Sequence, residues 1–120
     1  MITGFFLISK PVGWTSHDVV AKLRVITKEK TIGHAGTLDP MSAGLLIVAI
    51  GKQFTKKISL FSGMDKTYLA KVTLGKVSVT DDREGVLKDV SDKIPSQIEI
   101  SEALKQFETK TKQIPPQYSA

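Results

Sequence analysis

One carboxylate in this sequence is set out as a reactive group would be. It is Asp39, in the stretch Gly33-His34-Ala35-Gly36-Thr37-Leu38-Asp39-Pro40-Met41-Ser42-Ala43-Gly44. A carboxylate can attack an electrophilic carbon, form a covalent intermediate and still leave again. Here glycines bracket it, each free to take positive φ or to let another backbone come close. Pro40 biases Asp39 toward an extended conformation, which turns the side chain away from its own backbone. The stretch therefore predicts a shaped loop that is neither helix nor strand. Such a loop between two packed elements is a good place for chemistry, and His34 shares it. An Asx-type turn, in which Asp39 bonds only nearby amides, has the same composition.

Other chemistries are poorly supplied. There is no cysteine, hence no disulfide, thiolate nucleophile or zinc–thiolate site. Asp81, Asp82 and Glu84 cluster, but without the spacing of a known cation loop. Seventeen Lys and Arg against twelve Asp and Glu leave a net charge of +5, which favours polyanionic partners such as nucleic acid. The longest apolar run, Leu45 to Ile50, is far below a membrane span. Met1 to Ser9 lacks the basic lead of a signal peptide. The expectation is a soluble cytoplasmic protein with no membrane association.

Regular elements must hold the loop. Gly4 to Ser9 predicts a buried strand, and Lys10 to Trp14 a turn punctuated by Pro11 and Gly13. Thr15 with Asp18 fits a capping box opening a helix whose apolar face is Val19, Leu23 and Ile26. Leu45 to Ile50 reads as a strand buried on both faces, ended by Gly51. Phe54, Ile58 and Phe61 recur at helical spacing, and Ser62-Gly63 closes that helix. Lys66 to Gly75 alternates as a strand should, with Tyr68, Ala70, Val72 and Leu74 on one face. Val77 to Gly85 is a turn and Val86 to Val90 the returning strand. A last helix, starting at Ser96 or Ser101, carries Ile100, Ala103, Leu104 and Phe107. No repeat and no boundary between two domains is visible.

Four stretches, in this order, resemble the motifs of the TruB-type family of pseudouridine synthases. They are Leu7 to Ser16 (L-x-K-P-x-G-x-[TS]-S), the Gly33 to Gly44 loop, Lys66 to Gly75 (K-x-Y-x-A-x-x-x-L-G), and Gln113 to Ala120 (Q-x-P-P-x-Y-S-A). Val77 to Gly85 is similar to a further family turn, with Val79 where a threonine is usual. The likeness runs from Phe6 to Ala120. It implies an α+β fold with a mixed, largely antiparallel sheet and flanking helices, incomplete at the C-terminus. Residues 1–120 would be the N-terminal part of one catalytic domain. A later arginine motif and a C-terminal RNA-binding domain would lie outside it, so an isolated piece need not be active.

The resemblance also implies the chemistry: isomerisation of uridine 55 in the T-loop of tRNA to pseudouridine, with no cofactor and no metal. Asp39 would be the nucleophile. The target base must leave its stack; His34 would fill the vacated space and Tyr68 would stack on the extruded base, with Gly36, Thr37 and Leu38 shaping the substrate site. Lys10 and Pro11 would support the loop from beneath, and Lys66 would support the tyrosine stretch. The partner would be the T-arm of tRNA, bound by a monomer with no obligatory protein partner. Two alternatives stand beside this reading. One is a dyskerin-like synthase working through a guide ribonucleoprotein. The other is a non-catalytic RNA-binding or tRNA-folding module that retains the pocket. An acid-based hydrolase would need a second carboxylate at a recognisable position, and none is present.

Overall fold

The computed structural model describes residues 1–109 and 111–115. The C-terminal motif expected at Gln113 to Ala120 thus lies largely outside the described residues. The fold is α+β with antiparallel sheets, as expected. It divides into two compact units, Met1–Tyr68 and Leu69–Ala120, although the sequence shows no boundary there.

The first unit is built on a three-stranded antiparallel sheet. Its strands are β1 (Gly4–Lys10), β2 (Ile32–Ala35) and β3 (Gly44–Ile50), in the order β1-β3-β2. The apolar run of β3 makes it the central strand. Its register sets Gly4 opposite Ile50 and Lys10 opposite Gly44 on one side, and Ile32 opposite Ile50 and Ala35 opposite Ile47 on the other. Helix α1 (Ser16–Thr27) lies on one face. There Val19 and Val20 pack with Ile32, Leu46, Val48 and Ile50, flanked by Phe6, Ile8 and Leu23. Full burial of each such Val or Ile contributes about 1.5–3 kcal/mol. Ile26, expected on this face, is exposed because the core ends at Leu23.

Strand β1 alternates and is not buried on both sides: Phe6, Ile8 and Lys10 turn inward, while Leu7 is exposed. Phe5, on the opposite face, meets Phe54 and Phe61 edge-on, with ring centroids 5.4 and 4.7 Å away. Those two rings come from α2 (Lys52–Thr55) and α3 (Ser59–Ser62), which replace the single helix expected from the Phe54, Ile58, Phe61 spacing. The break shows in the bonding. The Lys56 amide still reaches four residues back to the Lys52 carbonyl, which also accepts from Thr55 Oγ1 at 3.1 Å. The amides of Lys57, Ile58, Leu60 and Phe61 then bond three residues back, in a tighter 3₁₀ pattern.

The expected Lys66 to Gly75 strand does not form: this stretch has no regular structure apart from a turn at Leu74 and Gly75. Its alternation provides a strand's faces, but among the described residues no neighbouring strand takes up its backbone groups, and a strand is stable only when paired. In the second unit, β4 (Lys76–Val77) and β5 (Lys88–Asp89) form a short antiparallel pair across the expected turn, with a Lys76–Asp89 ion pair. The paired part is therefore shorter than the Val86 to Val90 return read from sequence. Helix α4 (Gln97–Lys105) starts at Ser96, not Ser101, because Ser96 and Glu99 form a reciprocal capping box. Its residues Ile98 and Leu104 are exposed, as is Phe107 beyond its end.

Candidate active site

The sheet register brings two distant stretches together. Lys10, at the end of β1, lies opposite Gly44, at the start of β3. The turn from β1 into α1 and the loop from β2 into β3 therefore emerge at the same end of the sheet. The loop begins later than its composition suggests. Gly33, His34 and Ala35 belong to β2, because their backbone groups pair with Ala49, Val48 and Ile47. The chain leaves the ladder at Gly36, whose φ of +88° is reached cheaply only by glycine.

Both neighbours of Asp39 in the chain are fastened to the β1–α1 turn. The Leu38 amide donates to Ser16 Oγ at 3.0 Å, and Ser16 Oγ lies 3.3 Å from the Leu38 carbonyl oxygen, to which it donates. On the other side the Gly13 amide donates to the Pro40 carbonyl at 2.7 Å. The Ser42 amide closes the loop on the Asp39 carbonyl at 2.9 Å. The Asp39 side chain itself is exposed, and among the described residues its carboxylate takes part in no hydrogen bond or ion pair. The loop is held by its backbone, and the carboxylate is left free. This is not the Asx-type turn that the composition also allowed, in which the carboxylate would be spent on nearby amides.

Beneath the turn, Lys10 is 0% exposed. Its ammonium donates to the carbonyls of Pro11, at 3.1 Å, and Trp14, at 2.5 Å. An ammonium is buried only at considerable cost unless its donors are used, and here they close the turn that grips Pro40. Pro11 is exposed at the turn's outer edge. Lys66 bonds the chain at the end of α3 and just beyond it. Its ammonium donates to Ser62 and Met64 carbonyls at 2.9 and 3.0 Å, and its stem passes close to Gly36.

His34 lies half-buried on β2, opposite Val48. Its Nδ1–H donates to the Gly36 carbonyl, which can only accept, so Nε2 is the nitrogen left unprotonated in the neutral ring. Thr37 is exposed and Leu38 half-buried. Tyr68 is 67% exposed, at the last residue of the first unit, and no hydrogen bond joins it to the loop among the described residues. The structure thus gathers Lys10, His34, Gly36, Leu38, Asp39 and Lys66 around one loop, and leaves Tyr68 standing in solvent.

Ser16 went unassigned in the sequence. The signal was nevertheless there: Thr15 and Asp18 complete the capping box by themselves, at 2.8 and 3.0 Å, so the next hydroxyl is spare. The nearby Thr15 hydroxyl, and after it the Thr15 amide that donates to the carboxylate, hold the Asp18 carboxyl below its ordinary pKa. Asp18 also lines a shallow groove of about 500 Å³ on the outer side of α1, with Gly13, Trp14, Ala21, Lys22 and Val25. That groove contains no residue of the Asp39 loop. In the second unit, Asp82 accepts from Thr80 Oγ1 at 2.7 Å and from the Glu84 amide at 2.9 Å, which lowers its pKa; of the acidic cluster, this one carboxylate is committed to a turn. Among the described residues no helix is long and apolar enough to cross a membrane.

Residues 24–120 match the family model described as TruB family pseudouridylate synthase (N terminal domain). Several curated relatives, each named tRNA pseudouridine synthase B, align with nearly the whole chain. The Clostridium acetobutylicum protein is 44% identical over 98% of this chain and 40% of its own length. The protein of Lactococcus lactis subsp. lactis is 45% identical over 99% of this chain and 36% of its own. That of Roseobacter denitrificans is 44% identical over 99% and 39%. The chain spans about two-fifths of the length of these relatives.

Proposed function

The chain belongs to the TruB family of pseudouridylate synthases, and on that premise we propose that it carries the nucleophile-bearing part of an enzyme that converts uridine 55 in the tRNA T-loop to pseudouridine. The observation that carries this reading is the Asp39 carboxylate, free of partners among the described residues, on a loop pinned at both adjoining residues. The relatives' shared name and the net charge of +5 support tRNA as the partner.

In the reaction the N1–C1′ glycosidic bond breaks, the uracil turns while still held, and C5 bonds to C1′. The C5 proton then leaves and N1, freed from the ribose, takes up a proton, so the change is an isomerisation without net redox or hydrolysis. Asp39 adds to the nucleoside as a nucleophile and departs at the end. Extruding the base costs a few kcal/mol. His34, rooted in β2, fills the gap in the stack, and Tyr68 covers the extruded base, a stacking contact worth about 1–3 kcal/mol. The exposure of Tyr68 leaves its ring face open to such a base. Gly36, Thr37 and Leu38 form the wall beside it. The enzyme works as a monomer on the T-arm, in the cytoplasm.

The test is tritium release from tRNA carrying 5-tritiated uridine, with Asp39→Asn as comparison. Release by the full-length protein carrying this sequence, lost in Asp39→Asn with tRNA binding retained, is the expected result. Release that survives in Asp39→Asn would remove Asp39 as nucleophile. Binding without release in either protein would favour a non-catalytic RNA-binding module.

A further inference from the structure

Ser16 opens α1, yet it does nothing for that helix. Capping is completed by Thr15 and Asp18, and a serine at the first helical position ordinarily points to water. Here it is 2% exposed. A hydroxyl is buried at a cost unless it finds partners, and both of its partners are the backbone amide and carbonyl of Leu38, twenty-two residues away. Donor and acceptor are therefore both engaged on the residue preceding Asp39.

We propose that Ser16 is a positioning residue for the Asp39 nucleophile, acting through the Leu38 backbone. This rests on the function proposed above. A two-point latch on one peptide residue fixes rotation as well as distance. Pro40, the next residue but one, is held by Gly13 of the same turn. With both neighbours fixed, the freedom left to Asp39 is its own side-chain rotation. Releasing Leu38 would let the preceding peptide turn, and with it the direction of the carboxylate. A misplacement of about 1 Å at a reacting group can cost about 100-fold in rate. Affinity for tRNA, spread over a wide surface, would be little affected.

The experiment compares Ser16→Ala and Thr15→Ala in the full-length protein carrying this sequence. Three quantities are read: single-turnover pseudouridine formation at saturating enzyme, tRNA affinity, and amide hydrogen exchange. In Ser16→Ala the single-turnover rate is expected to fall about 100-fold, with tRNA affinity within about twofold. The Leu38 amide should exchange about 5- to 10-fold faster, as the loss of one hydrogen bond allows, while Leu46 and Val48 keep their protection. Thr15→Ala, which weakens the helix cap and leaves the latch in place, should lower the melting temperature and keep the rate. Wild-type rate in Ser16→Ala, or parallel losses of rate in both variants, would overturn the positioning role. An inactive wild-type protein would instead sink the proposed function, and the positioning role with it.

Discussion

Replacing Lys10 by methionine tests whether the turn beneath the loop is held by a buried charge or merely filled by a long side chain. Methionine keeps much of the volume but has no donor. The Pro11 and Trp14 carbonyls then lose their ammonium, at 3.1 and 2.5 Å. Both residues are exposed, so water can take its place at the carbonyls, and the loss is that of two bonds to a charged donor, about 1.5–3 kcal/mol each. Against this, methionine avoids the desolvation of a buried ammonium, which offsets part of the loss. The net expectation is a destabilisation of about 2–4 kcal/mol. With a urea slope of about 1.5 kcal/mol/M, the unfolding midpoint falls by about 1–3 M. Trp14 is the single tryptophan of these 120 residues and lies within this turn, so in this chain its fluorescence reports both the global transition and any earlier local opening. A Lys10→Met protein with an unchanged midpoint, and with the Gly13 amide as protected as before, would refute the view that the ammonium closes the turn.

Three further outcomes are expected. Gly36→Ala should destabilise through backbone strain alone, since an added Cβ meets only the Lys66 stem at ordinary contact distance, 3.8 Å; a loss of about 1 kcal/mol or somewhat more is anticipated in thermal melts. Gly75→Ala should be worse, because at φ +78° the new Cβ would collide with the Ser91 carbonyl oxygen, and faster exchange of the Val90 amide, bonded to Gly75 at 2.9 Å, would reveal the opened hairpin. Asp18 and Glu99 have pKa values lowered from 3.8 and 4.5, by Thr15 and by Lys93 with Ser96 respectively. A carboxylate with a depressed native pKa binds its proton less readily when folded, so its contribution is present above the unfolded value and fades as pH falls through the native one. The caps of α1 and α4 should therefore hold at pH 5 and loosen below about pH 4, seen by NMR as carboxyl titrations displaced to lower pH; titration at the ordinary values would contradict the capping geometry.

Much of the first unit was legible because its signals are local. The Thr15–Asp18 capping box, the β3 apolar run and the turn glycines each act within a few residues. The start of the loop was misread because Gly33 and Gly36 look alike in sequence, and only pairing with β3 decides that the former is strand and the latter is not. The helix at Phe54 to Phe61 carried the right period, but periodicity records which residues share a face and not whether an amide reaches back four residues or three, as those of Lys57, Ile58, Leu60 and Phe61 do. At Lys66 to Gly75 the pattern describes two faces and says nothing of a partner. That is the general weakness of β signals, which record fit to a surrounding sheet more than a backbone preference. The site was legible as residue types and illegible as support: the latch from Ser16 to Leu38 spans twenty-two positions and depends on the register that puts Lys10 opposite Gly44.

The division of labour at the loop has a consequence for every experiment on it. Geometry comes from backbone bonds to Leu38, Asp39 and Pro40 and from side chains of the neighbouring turn, Ser16 and Lys10. The Asp39 carboxylate takes no part in that scaffold among the described residues, so the loop should keep its shape when the carboxylate becomes an amide. Loss of chemistry in Asp39→Asn would then test the proposed nucleophile alone. Loss in Ser16→Ala reports its placement. Were the carboxylate itself bonded into the turn, as an Asx-type turn would require, the two effects could not be separated by substitution. Because the Asp39 side chain stands apart from the bonds that shape its loop, they can.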